Sequence, residues 1–402
     1  MKKNTRRNVR PGGPLAQLGG LTATQFLRDY WQKKPLLIRQ AFASFEEPLT
    51  KQEVIELAQR DDAESRVVVH AGRQWQLRHG PFSKRDFAAL RNSLWTVLIQ
   101  DTQHFSQEAH DVLARFSFIP HARVDDLMVS YAVPGAGVGA HVDSYDVFLL
   151  QGSGKRRWQI SSQSDLRLKE DVPLKILARF KAEHEYLLET GDMLYLPPGY
   201  AHHGVAETEC LTWSIGFRAP SQQELSTALL DHLRDEVHFD GQYRDPDLRP
   251  SRRPGEINAA MTARMERMLA AVSHAARDKA TLRRFLGGYL TEPKSHVYFD
   301  APEPRLGLTA FSRRVKRDGA RLDLKTRLLY LGESFFLNGV AISVGAADRA
   351  AWRQLADARE LPGRAALSGS KAFYETLHRA YCDGYLHPDS PRPAAPGGRR
   401  GP

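Results

Sequence analysis

The spacing of apolar and polar positions changes character three times along the chain. Before residue 120 short helical signals alternate with strand-like runs. Thr22-Ala23-Thr24-Gln25 has the form of a capping box and predicts a helix through Tyr30 or Trp31, which Pro35 ends. Leu36-Leu37-Ile38 reads as a short buried strand, and residues 50–60 (TKQEVIELAQR) as a second capped helix. Residues 66–79 are β-rich on either side of Ala71-Gly72 and predict a hairpin. Helices are expected near 84–101 and 107–117.

From Asp126 the period becomes two. Asp126, Met128 and Ser130 share one strand face, with Leu127, Val129 and Tyr131 on the other. Residues 211–217 (LTWSIGF) set Leu211, Trp213, Ile215 and Phe217 on one side and Thr212, Ser214 and Gly216 on the other. Many short strands punctuated by Gly and Pro, without βα alternation, predict an antiparallel sandwich or barrel. Past Pro220 the spacing turns helical over 221–236, 256–274 and 278–290. Ile257, Met261, Met265, Met268 and Leu269 form an apolar stripe, either an intramolecular core face or a subunit interface. From about 293 helix and hairpin mix. Residues 324–343 predict two strands about Leu337-Asn338-Gly339, and helices follow near 347–358 and 370–383. That combination has the shape of a winged helix, within an α+β chain.

Composition narrows the setting. A chain of 402 residues exceeds one core, so two or three domains are expected. With 57 basic and 47 acidic side chains the net charge is +10, which favours an acidic partner. Lys2, Lys3, Arg6, Arg7 and Arg10 crowd the first ten residues, as a solvated tail or as a contact with RNA. The two cysteines, Cys210 and Cys382, stand far apart; this fits a reducing cytoplasm and excludes a Cys-rich zinc module. No apolar run reaches membrane-spanning length and no signal peptide opens the chain, so a soluble cytoplasmic protein is expected. Residues 389–402 (DSPRPAAPGGRRGP) read as disordered.

The chemistry centres on residues 135–157 (GAGVGAHVDSYDVFLLQGSGKRR) and 191–204 (GDMLYLPPGYAHHG). Two ligands two residues apart on a strand point to the same side, which His141 and Asp143 satisfy. His202, after the Pro197-Pro198-Gly199 turn, supplies the third ligand of a two-histidine, one-carboxylate iron(II) centre, with His203 as its rival. A chelating 2-oxo acid needs a cation for its remote carboxylate, preferably a guanidinium. Of Lys155, Arg156 and Arg157, alternation sends Arg156 to the side opposite its neighbours. Ser130 could add a hydroxyl to that carboxylate or be an ordinary satisfied strand hydroxyl.

These motifs resemble the JmjC-type cupin oxygenases, and within them the bacterial ribosomal oxygenases. The resemblance runs from residues 30–39 (YWQKKPLLIR) through 78–82 (RHGPF) and 125–158 to 196–204 (LPPGYAHHG) and 213–220 (WSIGFRAP). It implies a double-stranded β-helix barrel over 21–220, preceded by a basic flexible tail (1–20). A helical dimerisation region (221–292), a winged-helix domain (293–388) and a disordered tail (389–402) would follow. It implies His141, Asp143 and His202 as ligands of Fe(II), and Arg156 and Ser130 as contacts to 2-oxoglutarate. Asp126, Tyr145 and Ser214 would form the pocket of a substrate arginine. The implied reaction consumes 2-oxoglutarate and dioxygen and hydroxylates an arginine of a large-subunit ribosomal protein. Homodimerisation and a contact with ribosomal RNA are further expectations. The alternatives on the same barrel are histidine hydroxylation and demethylation of methyl-lysine or methyl-arginine; a metal-free cupin that only binds nucleic acid is a different class. The chain departs from the family pattern at Ala201 and His203, where a proline and an acid are expected, and at Lys155.

Overall fold

The computed structural model describes residues 13–72 and 74–388; the basic start and the Pro/Gly/Arg end expected to be disordered lie outside the described residues. The chain divides into two units, Met1–Ala219 with His296–Tyr298, and Pro220–Ser295 with Phe299–Pro402.

The first unit opens earlier than expected. Ala16–Leu18 form a 3-10 turn in which Leu18 is fully buried, so the flexible start predicted to reach residue 20 is already packed there. Helix α1 (Ala23–Asp29) carries the expected Thr22/Gln25 capping box, β1 (Leu36–Ile38) follows, and α2 (Lys51–Leu57) has its own box from Thr50 and Glu53. Strands β2 (Ser65–Ala71) and β3 (Gln74–His79) make the expected hairpin. The helix expected over 84–101 is instead α3 (Lys84–Ala89) followed by strand β4 (Leu94–Ile99). The run LWTVLI is apolar apart from Thr96, whose hydroxyl donates to the Tyr131 carbonyl, because β4 lies inside the sheet between β2 and β5, where nearly every side chain is buried. Helix α4 (Gln107–Ala114) precedes eight more strands: β5 (Val124–Ala132), β6 (His141–Val142), β7 (Asp146–Gln151), β8 (Arg156–Ser161), β9 (His184–Leu188), β10 (Met193–Leu196), β11 (Ala201–Ala206) and β12 (Cys210–Phe217).

They form two antiparallel sheets, in the orders β1-β10-β7-β12-β5-β4-β2-β3 and β6-β11-β8-β9. Alternation assigns their faces. Phe148, Leu150, Leu127, Val129, Leu211, Trp213, Ile215 and Phe217 pack beneath Phe26, Val54 and Phe116 of the helical segments. Val147 and Leu149 turn the other way, onto Trp158, Ile160, Leu188, Leu194 and Leu196. The expected barrel is thus a two-sheet structure whose inner faces carry even-numbered residues of β5, β8, β10, β11 and β12 and the odd-numbered Val147 and Leu149 of β7.

In the second unit α5 (Gln222–Glu236), α6 (Ala259–Ala275) and α7 (Lys279–Thr291) follow the helical spacing. Helix α6 has no buried residue, and Ile257, Met265, Met268 and Leu269 of its stripe are exposed; the stripe is not an intramolecular core face among the described residues. Next come α8 (Leu308–Asp318), β13 (Ala320–Leu322), β14 (Leu328–Leu331), β15 (Ser334–Leu337) and β16 (Val340–Ile342). Then α9 (Arg349–Ala358), β17 (Glu360–Leu361), α10 (Gly363–Ala366), α11 (Lys371–Cys382) and β18 (Leu386–Pro388) close the unit. Where two strands were expected over 324–343 there are three. Gly332, at φ +64°, turns β14 into β15, and Asn338-Gly339, both at positive φ, turn β15 into β16. Helix α7 belongs with this sheet: a Cβ on Gly287 would lie 2.3 Å from the Phe336 ring, and Thr291 Oγ1 accepts from the Gly339 N–H. The division expected at 292/293 therefore falls within one packed body. Among the described residues no helix is long and apolar enough to cross a membrane.

Candidate metal centre and substrate pocket

Two loops and two strands bring the three proposed ligands together. His141 opens β6 and His202 lies second in β11; the strands pair in register with His202 opposite His141. The ring centroids are 4.2 Å apart. Asp143 follows β6, where its backbone carbonyl accepts the Gly199 N–H of the Pro197-Pro198-Gly199 turn at 2.9 Å. His202 Nε2 is 3.5 Å from Asp143 Oδ2, and one ligand atom from each of the three residues lies within 4.8 Å of the others. Two ligand atoms each roughly 2 Å from one ion stand about 3–4 Å apart, which the 3.5 Å between His202 and Asp143 matches.

The hydrogen bonds assign the tautomers. His141 Nδ1 is 2.9 Å from the Gly139 carbonyl, and His202 Nδ1 is 3.0 Å from that of Tyr200. A carbonyl only accepts, so both Nδ1 atoms carry the proton and both Nε2 lone pairs are left for a cation. Burial, then the neighbouring His141, lowers the pKa of His202, keeping the ring in the neutral form that ligates. His203 stands on the other face of β11, in edge contact with Phe180 and outside the three-residue group. It does not join the cluster.

Arg156 opens β8 and is 5% exposed, yet among the described residues its Nε and Nη2 have no hydrogen-bond partner. Arg157, one position on, bonds Glu207 and Glu185 on the outer face, and Lys155 pairs with Glu189. One cation points in and two point out, as alternation expects. Ser130 is buried on the inner face of β5, its hydroxyl 3.4 Å from the Thr212 carbonyl. That bond is long, so the hydroxyl retains capacity for a stronger acceptor.

Asp126, Tyr145 and Ser214 form a second cluster. A Cβ on Gly216 would lie 3.1 Å from Asp126 Oδ1 and 3.7 Å from the Tyr145 ring, so both side chains converge on that glycine. Ser214 precedes it on the same strand face, opposite Met128. Burial, then Asp143, Asp126 and Asp125, raises the pKa of the Tyr145 hydroxyl, and Arg66 opposes this. Three carboxylates and the Arg66 guanidinium thus act on this ring. Gly216, Gly204 and Trp158 were not singled out from the sequence. Trp158 was within reach, being two positions after Arg156; the glycines mark close approaches that only the folded chain reveals.

An antiparallel two-sheet barrel that gathers two histidines and a carboxylate beside a buried guanidinium defines a cupin of the JmjC type, and a JmjC domain model matches residues 111–225. A ROXA-like winged-helix model matches residues 272–387, taking in α7 as the packing does. The ribosomal protein uL16 3-hydroxylase of Escherichia coli is 31% identical over 321 residues, 79% of this chain and 84% of that protein, and the chain belongs to this family of ribosomal oxygenases. The crystal structure of E. coli YcfD superposes with a TM-score of 0.80 at 29% identity, covering 91% of this chain and 98% of that one. A structure of YcfD, a ribosomal oxygenase, in complex with cobalt and 2-oxoglutarate gives 0.78 at 29% identity and the same coverage.

Proposed function

We propose that this chain is an Fe(II)- and 2-oxoglutarate-dependent oxygenase that hydroxylates an arginine side chain of a large-subunit ribosomal protein in the cytoplasm. The observation that supports the reading is a group of two histidines and a carboxylate whose ligand atoms lie within 4.8 Å of one another, with His202 on a strand paired with the one that carries the buried Arg156. His141, Asp143 and His202 would hold the metal, and Arg156 with Ser130 the far carboxylate of the cosubstrate. Iron(II) with 2-oxoglutarate supplies, when bound, the activation of dioxygen and the oxidising power for insertion into a C–H bond.

The protein contributes placement. Asp126 accepts the substrate guanidinium, Tyr145 packs against its plane or stem, and Gly216 leaves the space between them. The exposed apolar side of α6 is the surface proposed to meet a second copy of the chain.

The test is aerobic incubation with iron(II), 2-oxoglutarate and purified large-subunit ribosomal proteins, followed by peptide mass mapping. One added oxygen on an arginine is expected, and none with Asp143→Ala. Oxygen on a histidine, or loss of a methyl group, would replace the arginine assignment. Unchanged turnover in Asp143→Ala would overturn the metal centre.

A further inference from the structure

Three buried side-chain donors without partners among the described residues lie on one face of one strand: Arg156 Nε, Arg156 Nη2 and Trp158 Nε1. Trp158 is 4% exposed. Its indole is held in place, since a Cβ on the facing Gly204 would come within 2.6–2.9 Å of Cζ3, Cη2 and Cε3. The Arg156 guanidinium carbon lies 5.6 Å from the Trp158 ring, and the His202 ring centroid 5.8 Å from it. In the β8/β11 register Trp158 pairs with Gly204, between the row of Arg156 and Ala206 and the row of Ile160 and His202.

Buried N–H groups in folded proteins almost always have a partner, from the chain, water or a ligand. The side chains packed in the Trp158 cluster are apolar apart from Tyr145 and Tyr186, and among the described residues neither hydroxyl bonds the indole N–H. Arg156 has only donors to offer. What completes this face must accept several hydrogen bonds and carry negative charge.

We infer that the indole Nε1–H of Trp158 is a further hydrogen-bond donor to the 2-oxo acid cosubstrate, acting with Arg156 on its oxygens. Trp158 is then a cosubstrate-binding residue rather than core filling, and Gly204 is required because it seats the ring. The inference rests on the 2-oxoglutarate reading above and extends it to a residue that shares the strand face of Arg156 and lies outside the metal motif.

The test uses the full chain loaded with zinc(II), which is diamagnetic, and labelled with nitrogen-15 at its tryptophan indoles. On saturation with 2-oxoglutarate one of the six indole proton resonances moves downfield, and it is the one missing from Trp158→Phe. Calorimetry shows 2-oxoglutarate binding weakened about ten-fold or more in Trp158→Phe, the loss expected for a hydrogen bond to a charged acceptor. If wild type binds 2-oxoglutarate while every indole resonance stays in place, or if the phenylalanine variant binds as tightly, Trp158 is core filling and the inference falls alone. If wild type binds no 2-oxoglutarate, the functional reading falls with it. The wild-type spectra decide the point even where the variant does not fold.

Discussion

Arg156 condenses the site into one side chain. Its buried, unpartnered guanidinium nitrogens cost stability in the ligand-free protein and are complementary to a carboxylate when one is present. Arg156→Met keeps the length of the stem and removes the charge. The variant should be more stable than the ligand-free wild type by about 1–3 kcal/mol in denaturant unfolding. Its 2-oxoglutarate-dependent turnover should fall a hundredfold or more. Equal stability together with full turnover would show that the guanidinium serves neither purpose. At this scale the sequence was informative wherever the period of two decides. It turned Arg156 inward, put His141 and Asp143 on one side, and grouped Asp126 with Ser130. It was silent where a side chain depends on a neighbour distant in sequence, as Trp158 depends on Gly204 and Asp126 on Gly216.

Elements were readable where they carry their own terminators. The boxes at Thr22 and Thr50 and the Asn338-Gly339 turn each appear in the structure, because they are satisfied by residues within three positions. Strand β4 was misread since a run that is apolar but for Thr96 shows no period of two, and only its place inside the sheet makes it a strand. The Gly332 turn was missed for the opposite reason, a single glycine being a weak signal. Helix α6 is the element whose apolar pattern the fold leaves uncovered. Its Leu269 is 65% exposed, and at a free surface Leu269→Glu would change stability by no more than about 0.5 kcal/mol. Against a second copy the same change buries a charge in an apolar contact. Sedimentation velocity should then find wild type as a dimer and Leu269→Glu shifted to monomer, with the unfolding of each chain little altered. A wild type that sediments as a monomer at micromolar concentration would remove the dimer.

For the molecule as a whole, the charge balance and one buried acid pull stability in opposite directions with pH. The net charge of +10 means that rising pH relieves self-repulsion. Glu47 works the other way. Its carboxylate accepts the Ser153 N–H at 2.6 Å and the Trp213 indole N–H at 3.1 Å, and the backbone of Gly152 closes over it. Burial nevertheless dominates and pushes its pKa up to about 7, with the two hydrogen bonds opposing. A folded-state pKa above the unfolded value of 4.5 means that the folded chain binds the proton more tightly. The associated stability is complete below about pH 4.5 and is lost as pH rises through 7. Each tenfold difference in proton affinity between the folded and unfolded chains is worth about 1.4 kcal/mol, so the loss by pH 8 is on the order of 3 kcal/mol. Glu47→Gln has no such proton to lose. Urea unfolding of the metal-free chain at pH 5.5 and pH 8, in both proteins, separates this contribution from the charge background they share. Wild type should lose stability relative to Glu47→Gln as pH rises. If the difference between the two proteins is the same at both pH values, Glu47 titrates in the folded chain as it does in the unfolded one, and the hydrogen bonds from Ser153 and Trp213 balance its burial.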